Sequence, residues 1–570
     1  MRKEQLNLLS AARWLISAAL IFLPGAMVYW TSSTLGDLKL SLLLLGSGLL
    51  AGWIAPAPER RVMFRGLAGA LAAATWLVIL GKFWRVTDFP LSLTWSEGNH
   101  LWAASLFLTP DRYILATPKL IPNYVTPGLY SLRGLPLLIP NVTLRWVRAW
   151  ESLLWVWPGL LFGAALARRY FRSTPFFGAA VALWAYLFLN QGPVYAPLLI
   201  AGAMTVWGMG RKSEPARWLW IFGATLFAGL SRWTWAPAPA VWAILMLTLE
   251  SRRQSNSSQS SWPVHGMIKA GAAGVLAAAL SQVISAWITG RPAMMYLNSM
   301  EHPLLWYRLA PNATYVAGVV GAAILAARPL LAVILWLSSS LKPKLRGFDR
   351  MIVLIFLGAT LAGGLVVSVK IGGGNNLHNM DVFLATLVLA GVLLMYLSGL
   401  HRKPWGRVTG GLMLWAALAP AVWGLYAYKP QPEWPVRTAE HIVSEINTWL
   451  ESVEGEGQVL FIDQRHLLTM GLVPSVPLVS EYELVEMMDH AMAGDQAYFD
   501  PFYADLSQAR FSLIISDPLN VVLKGRHESF GEENDAWVQY VSGPVLEYYQ
   551  PVARWDDLGV WLLAPIGRVE

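Results

Sequence analysis

Apolar runs long enough to cross a lipid bilayer recur along the first three quarters of this chain, and that repetition excludes most folds before any motif is weighed. A crossing needs about 20 predominantly apolar residues, because the hydrocarbon core is about 30 Å thick and a helix rises about 1.5 Å per residue. Thirteen such runs lie near residues 12–30, 38–57, 63–83, 150–167, 174–190, 196–210, 217–232, 234–250, 264–289, 313–338, 351–369, 381–400 and 408–427. Lipid offers no hydrogen bonds, so each run must satisfy its own backbone and is expected as a helix. The reading is an α-helical polytopic membrane protein with about 13 transmembrane helices. Pro237 and Pro239 interrupt the return from the seventh run, where a re-entrant segment would also fit. The N-terminal run follows a basic stretch but has no small-residue cleavage site, so it reads as a retained span.

Charge divides the chain in two. Up to Tyr428 there are 35 Lys and Arg against 12 Asp and Glu, and from Lys429 onward 8 against 23. A basic membrane domain, 1–428, is therefore followed by an acidic, water-facing domain, 429–570. The second carries strand-like VLFID (459–463), FSLIIS (511–516) and VWLLAP (560–565), with a helical EYELVEMMDHAM (481–492) between them, which predicts a soluble α/β domain. Its acids are spread evenly, as on a solvated surface, and Asp463 and His466 read as a structural pair. The 30 Trp suit aromatic belts at the two membrane surfaces. The absence of Cys rules out disulfides, thiolate metal sites and cysteine nucleophiles.

The basic loops at 58–65, 168–172, 211–217, 251–253, 342–350 and 401–407 all fall on one side if the N-terminus is cytoplasmic, as the positive-inside bias requires. The expected location is the plasma membrane, with multiple passes and an extracytoplasmic C-terminal domain. The loop 84–149, with interfacial helices, the loop 290–312 and the segment 370–380 are then outside. Seven acids share that side: Asp37, Asp88, Glu97, Asp111, Glu151, Glu301 and Asp381. Ionisable groups near span ends are costly and tend to serve a site, so these seven are the natural shortlist.

Four stretches carry chemistry. In SEGNHLWAASL (96–106) Ser96 is a candidate N-cap, and Glu97 and His100 lie one helical turn apart. Glu97 there is a general base at the membrane surface or simply an acid favoured by a helix N-terminus. Downstream, PDRYILATPK supplies Arg112, and the Pro-punctuated IPNYVTPGLYSLRGLPLLIP (121–140) suits the interface and could wall a groove for a lipid tail; Lys119, Arg133 and Arg145 fit headgroup snorkelling. SRWTW (231–235) sets Arg232 at a span end between two Trp, able to bind phosphate or anchor the helix. The most specific element is SVKIGGGNNLHNMD (368–381), in which three glycines follow Lys370 and precede Asn375, Asn376, His378, Asn379 and Asp381. The glycines let backbone approach a ligand, Lys370 suits phosphate, and the amides suit sugar or phosphate oxygens. RPAMMYLNSMEHPLLWYR (291–308) adds Glu301 and His302 on the same side.

This plan resembles the polytopic C-type glycosyltransferases that use lipid-linked sugar donors, such as the protein O-mannosyltransferases and the bacterial aminoarabinose transferases. The likeness covers essentially the whole length: many apolar spans, an acid early in the first large outer loop, and a soluble C-terminal domain. KIGGGNNLHNMD resembles an outer loop of bacterial members. By that resemblance Glu97 falls at the catalytic acidic position, where the family usually has Asp, often followed by Glu; here Ser96 precedes a single Glu. The implied reaction moves a sugar from a polyprenyl phosphate, or diphosphate, to an acceptor hydroxyl on the outer face, with inversion. Glu97 would be the base, and Lys370, Arg232 and Arg112 would hold the donor phosphate. His100, Asn375, Asn376, His378, Asp381, Glu301 and His302 would line the substrate site. The partners expected are the donor, a glycan, lipid or protein acceptor, and membrane lipids, with no nucleic acid. No cofactor is expected, although the i,i+3 pairs Glu97/His100 and His378/Asp381 leave a divalent metal open. Competing readings are an O-antigen polymerase or ligase type enzyme and a transporter or flippase of lipid-linked saccharide. A transporter should show internal repeats and ionisable groups at mid-membrane depth; no repeat is visible and the ionisable groups gather at one side.

Overall fold

The computed structural model describes residues 2–30, 38–56, 62–254, 263–291, 304–341, 345–369, 377–428, 430 and 432–567. Among the described residues each of the thirteen apolar runs is largely helical, with a break at Trp155 and Val156 in the run 150–167 and a start only at Gly318 in the run 313–338. The helices are α1 (Arg2–Trp30), α2 (Leu38–Ile54), α3 (Val62–Lys82), α4 (Glu97–Ser105), α5 (Pro127–Gly134), α6 (Leu144–Leu154), α7 (Trp157–Tyr170), α8 (Pro175–Leu189), α9 (Ala196–Met209), α10 (Glu214–Ser231), α11 (Ala238–Gln254), α12 (Val264–Thr289), α13 (Gly318–Ser340), α14 (Gly347–Ser368), α15 (Asp381–Ser398) and α16 (Arg407–Tyr426). Among the described residues eight helical segments are long and apolar enough to cross a membrane, and three more apolar helices are shorter. The protein is a multi-pass membrane protein.

Small residues let the helices meet where lipid supplies no driving force of its own. A side chain at Gly48, Gly52 or Gly69 would run into the facing backbone, so α2 and α3 touch along their length. The most enclosed span is α15, whose residues from Phe383 to Met395 are all buried. At one end of the bundle three described acids meet cations: Glu250 pairs with Arg169 at 2.8 Å, Asp349 with Arg252 at 2.9 Å and Glu214 with Lys269 at 2.6 Å. None of the three is among the seven acids of the outer shortlist. Arg328 departs from the expected confinement of charge to span ends, since it sits midway along α13 on an exposed face. An arginine stem is long enough to run along a helix toward the headgroups.

In the C-terminal domain, among the described residues, strands β1 (Gln458–Phe461), β2 (Phe511–Ser516), β3 (Tyr549–Trp555) and β4 (Val560–Pro565) form one sheet in the order β1-β2-β4-β3. The β1–β2 pair is parallel and the other pairs are antiparallel. Alternate residues face opposite ways along each strand. Leu460, Phe511, Ile514 and Leu563 pack under α18 (Leu484–Ala493) and α19 (Gln496–Ser507). Val459, Phe461, Leu513 and Ile515 pack on Ile442 and Ile446 of α17 (Val436–Ser452), together with Phe89 and Leu91 of the outer loop. Strand β3 did not stand out in the sequence because Pro551 breaks its pattern, and the register shifts there.

The domain is docked on the loop 84–149 through the residues that follow β1. Asn99 donates to the Ile462 carbonyl at 2.7 Å, Ser92 N–H donates to Gln464 at 2.9 Å, and His466 Nε2 meets the Pro90 carbonyl at 2.7 Å. A side chain on Gly98 would collide with the His466 ring, so glycine is what allows this approach. Burial, with Arg148 nearby, pushes His466 down to about 3 and leaves it neutral. Its partner is therefore the outer loop and not Asp463, as the sequence had suggested.

Candidate active site

Five chain segments end close together on the side of the outer loop. α10 stops at Arg232, whose extended backbone leads into a single 3-10 turn, Trp233–Trp235, ahead of Pro237. α15 begins at Asp381, Tyr195 precedes α9, Trp155 follows α6, and Lys82 ends α3. Arg232 donates to Asn379 Oδ1 at 2.6 Å and lies 4.0 Å from Asp381 Oδ2. Asp381 is buried and fully engaged: Trp235 donates to Oδ2 at 2.7 Å and the Val382 N–H to Oδ1 at 2.7 Å. Tyr195 OH lies 3.1 Å from His378 Nδ1, and its ring sits 5.3 Å from Trp155 and 5.8 Å from Trp235. The side chain of Arg232 stays 26% exposed, and with Nη2 on Asn379 and Nη1 beside Asp381 its guanidinium, which carries five N–H donors, is anchored on one side and keeps donors to spare among the described residues.

The histidines nearby are neutral. Burial and Arg232 push His378 down to about 4. Burial, Arg133 and Arg85 push His100 down to about 3, and its buried Nδ1 meets no hydrogen-bond partner among the described residues. His100 lies against Tyr124 and Tyr130, with ring centroids 5.4 and 6.2 Å away. Arg133 stacks over Tyr130 and donates to Glu151 Oε1 through Nε at 2.7 Å, so it is tied to an acid and does not snorkel. Trp155, just past the end of α6, packs against Tyr195, and Glu151 in the last turn of α6 pairs with Arg133. Thr126 and Gly128 pin α5 to the end of α10, through a 2.8 Å bond to the Ser231 carbonyl and a contact that only glycine permits. Among the described residues neither Lys82 nor Arg85 meets a carboxylate; Lys82 lies over Trp155 and Arg85 over Trp84. The result is a pocket rim rich in arginine and tyrosine with few anions, chemistry suited to a phosphate group.

Glu97 is elsewhere. Its carboxylate takes Arg148 Nε on Oε1 at 3.2 Å, and Arg148 Nη2 and the Leu93 N–H on Oε2 at 3.1 and 2.6 Å. Arg148 is completely buried and also donates to the carbonyls of Thr87, Phe89 and Leu91. Glu97, expected as a general base at the membrane surface, lies in a buried ion pair with Arg148 that shapes residues 87–97. Ser96 does not cap α4 with its hydroxyl; it takes a left-handed φ of 61°, and the Gly98 N–H is capped by Ser92 Oγ at 3.1 Å. Arg112 is spent on the carbonyls of Thr469 and Leu137, beside a cavity of about 300 Å³ between outer loop and C-terminal domain, away from Arg232.

Of the expected site residues the structure brings together Arg232, His378 and Asp381, with His100 in the adjoining aromatic pocket. Lys370, Asn375, Asn376, Glu301 and His302 lie outside the described residues. Tyr195, Trp235, Arg133 and Glu151 were not named as site residues. Glu151 did carry a signal, as one of seven outer acids, and Tyr195 stands between Pro193 and Pro197 in an apolar stretch. Among the described residues no three His, Asp or Glu cluster closely enough to hold a metal ion. Glu97 and His378, the leading members of the two candidate ligand pairs, are bonded to Arg148 and Tyr195 instead.

No family model matches the chain, and no curated protein matches it. Among solved structures it is similar to ArnT from Cupriavidus metallidurans bound to undecaprenyl phosphate, at 12% identity over 87% of this chain and 98% of that one, with a TM-score of 0.46. It is similar also to the same protein in the apo state, at 13% identity over 86% and 97% of the two chains, with a TM-score of 0.46.

Proposed function

We propose that the protein is an integral-membrane glycosyltransferase that moves a sugar from a polyprenyl phosphate to an acceptor hydroxyl on the extracytoplasmic face, with inversion. The observation that carries this reading is Arg232, anchored by Asn379 and left open at a span end, where the phosphate of a membrane lipid would lie. In the proposed step the acceptor oxygen bonds to the anomeric carbon as the bond from that carbon to the phosphate oxygen breaks. The leaving polyprenyl phosphate keeps the electron pair, and the guanidinium of Arg232, joined by Lys370, offsets its charge. The acceptor proton passes to a carboxylate.

Glu151 is the better candidate for that base. Among the described residues Arg133 engages only Oε1 of Glu151, which leaves Oε2 for a second partner, whereas both oxygens of Glu97 are occupied. Glu97 then supports the site by holding the loop above it. Asn375, Asn376 and His378 would contact the sugar or phosphate oxygens.

The test is transfer by the purified, reconstituted protein from a panel of polyprenyl-phosphate sugars, comparing wild type with Glu151→Gln, Arg232→Ala and Lys370→Ala. The reading expects transfer by wild type and its loss in the variants. Equal turnover in all four, or movement of the lipid-linked sugar across the bilayer with no transfer, would overturn it.

A further inference from the structure

The C-terminal domain carries an exposed apolar segment held in a fixed shape. The segment after β2 displays Val521, Val522 and Leu523 to the outside at 58%, 69% and 65% exposure, followed by exposed Lys524 and Arg526. These apolar side chains are not on a loose strand. Asp535 accepts the N–H groups of Lys524 and Gly525 at 2.7 and 2.9 Å, Asn534 donates to the Val522 carbonyl at 2.8 Å, and Asn520 caps the Val522 N–H at 3.2 Å. The backbone is satisfied from within, so the fold holds three hydrophobic residues away from its own core.

Their position says what covers them. Phe530 N–H donates to Thr314 Oγ1 at 3.1 Å, and Arg308 is paired with Glu533 at 2.7 Å and Glu532 at 3.3 Å, both on α20 (Gly531–Trp537). Thr314 lies four residues before α13, and Leu305 N–H donates to the Val369 carbonyl just past α14 at 2.7 Å. Residues 304–317 therefore run at the level where two spans leave the bilayer, and the segment 520–530 is tied to them. Sheet direction agrees. The carboxyl end of β1 docks on the outer loop, and β2 runs parallel to it, so the segment leaves the edge that faces the membrane.

We propose that residues 521–526 dip into the adjoining leaflet, with Val521, Val522 and Leu523 among the upper acyl chains and Lys524 and Arg526 on lipid phosphates. Three apolar residues followed by two cations match the layering of a phospholipid surface, with chains inside and phosphates above. The contact continues a surface on the segment that leads into α13, where Trp306 and Val316 are also exposed. It does not depend on the transferase reading.

The chain contains no Cys, so Val522→Cys gives a single labelling site. Gln508→Cys, exposed at the opposite edge of the sheet just before β2, is the reference. Each full-length variant carries a bimane label in vesicles of phosphatidylethanolamine and phosphatidylglycerol. The label at 522 is expected to be quenched by lipids bearing a shallow nitroxide and to be several-fold less accessible to iodide than the label at 508. Equal iodide access at the two positions, or no quenching by the nitroxide lipid at 522, would overturn the proposal.

Discussion

Glu97 and Arg148 form a two-point ion pair in which the guanidinium has no exposed surface and the carboxylate almost none. The pair joins the start of α4 to α6, and Arg148 adds three carbonyls from the chain between them. Breaking a buried pair from one side strands a charge, which costs about 3–5 kcal/mol. Arg148→Ala should therefore unfold the outer loop, seen as a large fall in the thermal midpoint in detergent. Glu97→Gln, which keeps the shape and one acceptor, should lose less. A catalytic base at position 97 would show the reverse, with full stability and no turnover.

Kinetics should separate Glu151 from Arg232. Glu151→Gln is expected to lower kcat by about 100- to 10,000-fold, as for loss of a general base, with the donor KM little changed. Arg232→Ala removes charged hydrogen bonds to the phosphate and should raise the donor KM by about 10- to 100-fold. Steady-state transfer assays with varied donor read both, and matched effects on kcat and KM in the two variants would contradict the assignment.

Asp463 should make the C-terminal domain sensitive to alkali. Burial, with Asp517 beside it, raises its carboxyl from 3.8 to about 7, and one of its oxygens has no hydrogen-bond partner among the described residues. An acid whose folded value lies above its unfolded value binds its proton more tightly when folded. Stability is therefore lost as pH rises from about 4 through 7, then levels off. Asp463→Asn should be near neutral at pH 4 and raise the thermal midpoint at pH 8 by ~2 °C or more. Unfolding scans across that range check the sign.

Gly98 sits where the domain meets the outer loop, and a methyl there would press on the His466 ring and on Ser92 Oγ, 2.7 Å away. Gly98→Ala should loosen the docking by about 1–3 kcal/mol, as overpacking does. Limited proteolysis within 84–149 should become faster, while the far-ultraviolet signal of the full-length variant stays that of wild type.

Helices were legible because lipid leaves a chain one local solution, and local pattern is what a sequence displays. The glycine- and asparagine-rich element before α15 was likewise visible as a density of polar groups at a span end; of it, His378, Asn379 and Asp381 meet Arg232 from α10. The buried pairing of Glu97 was not legible, because its residue type and location matched a surface base and the cation it meets lies 51 residues away. Strand β3 was hidden by its own proline.

The sequence by itself determined the apolar spans, the side on which cations gather and the acidic tail, since each follows from composition over a window. Only tertiary structure decided which acid is buried and which is open. Glu97 and Glu151 are both outer glutamates beside an arginine, yet Arg148 takes both oxygens of one while Arg133 takes a single oxygen of the other. That distinction depends on how α4, α5 and α6 lie against one another, and pairwise distance between helices is not written in the order of residues.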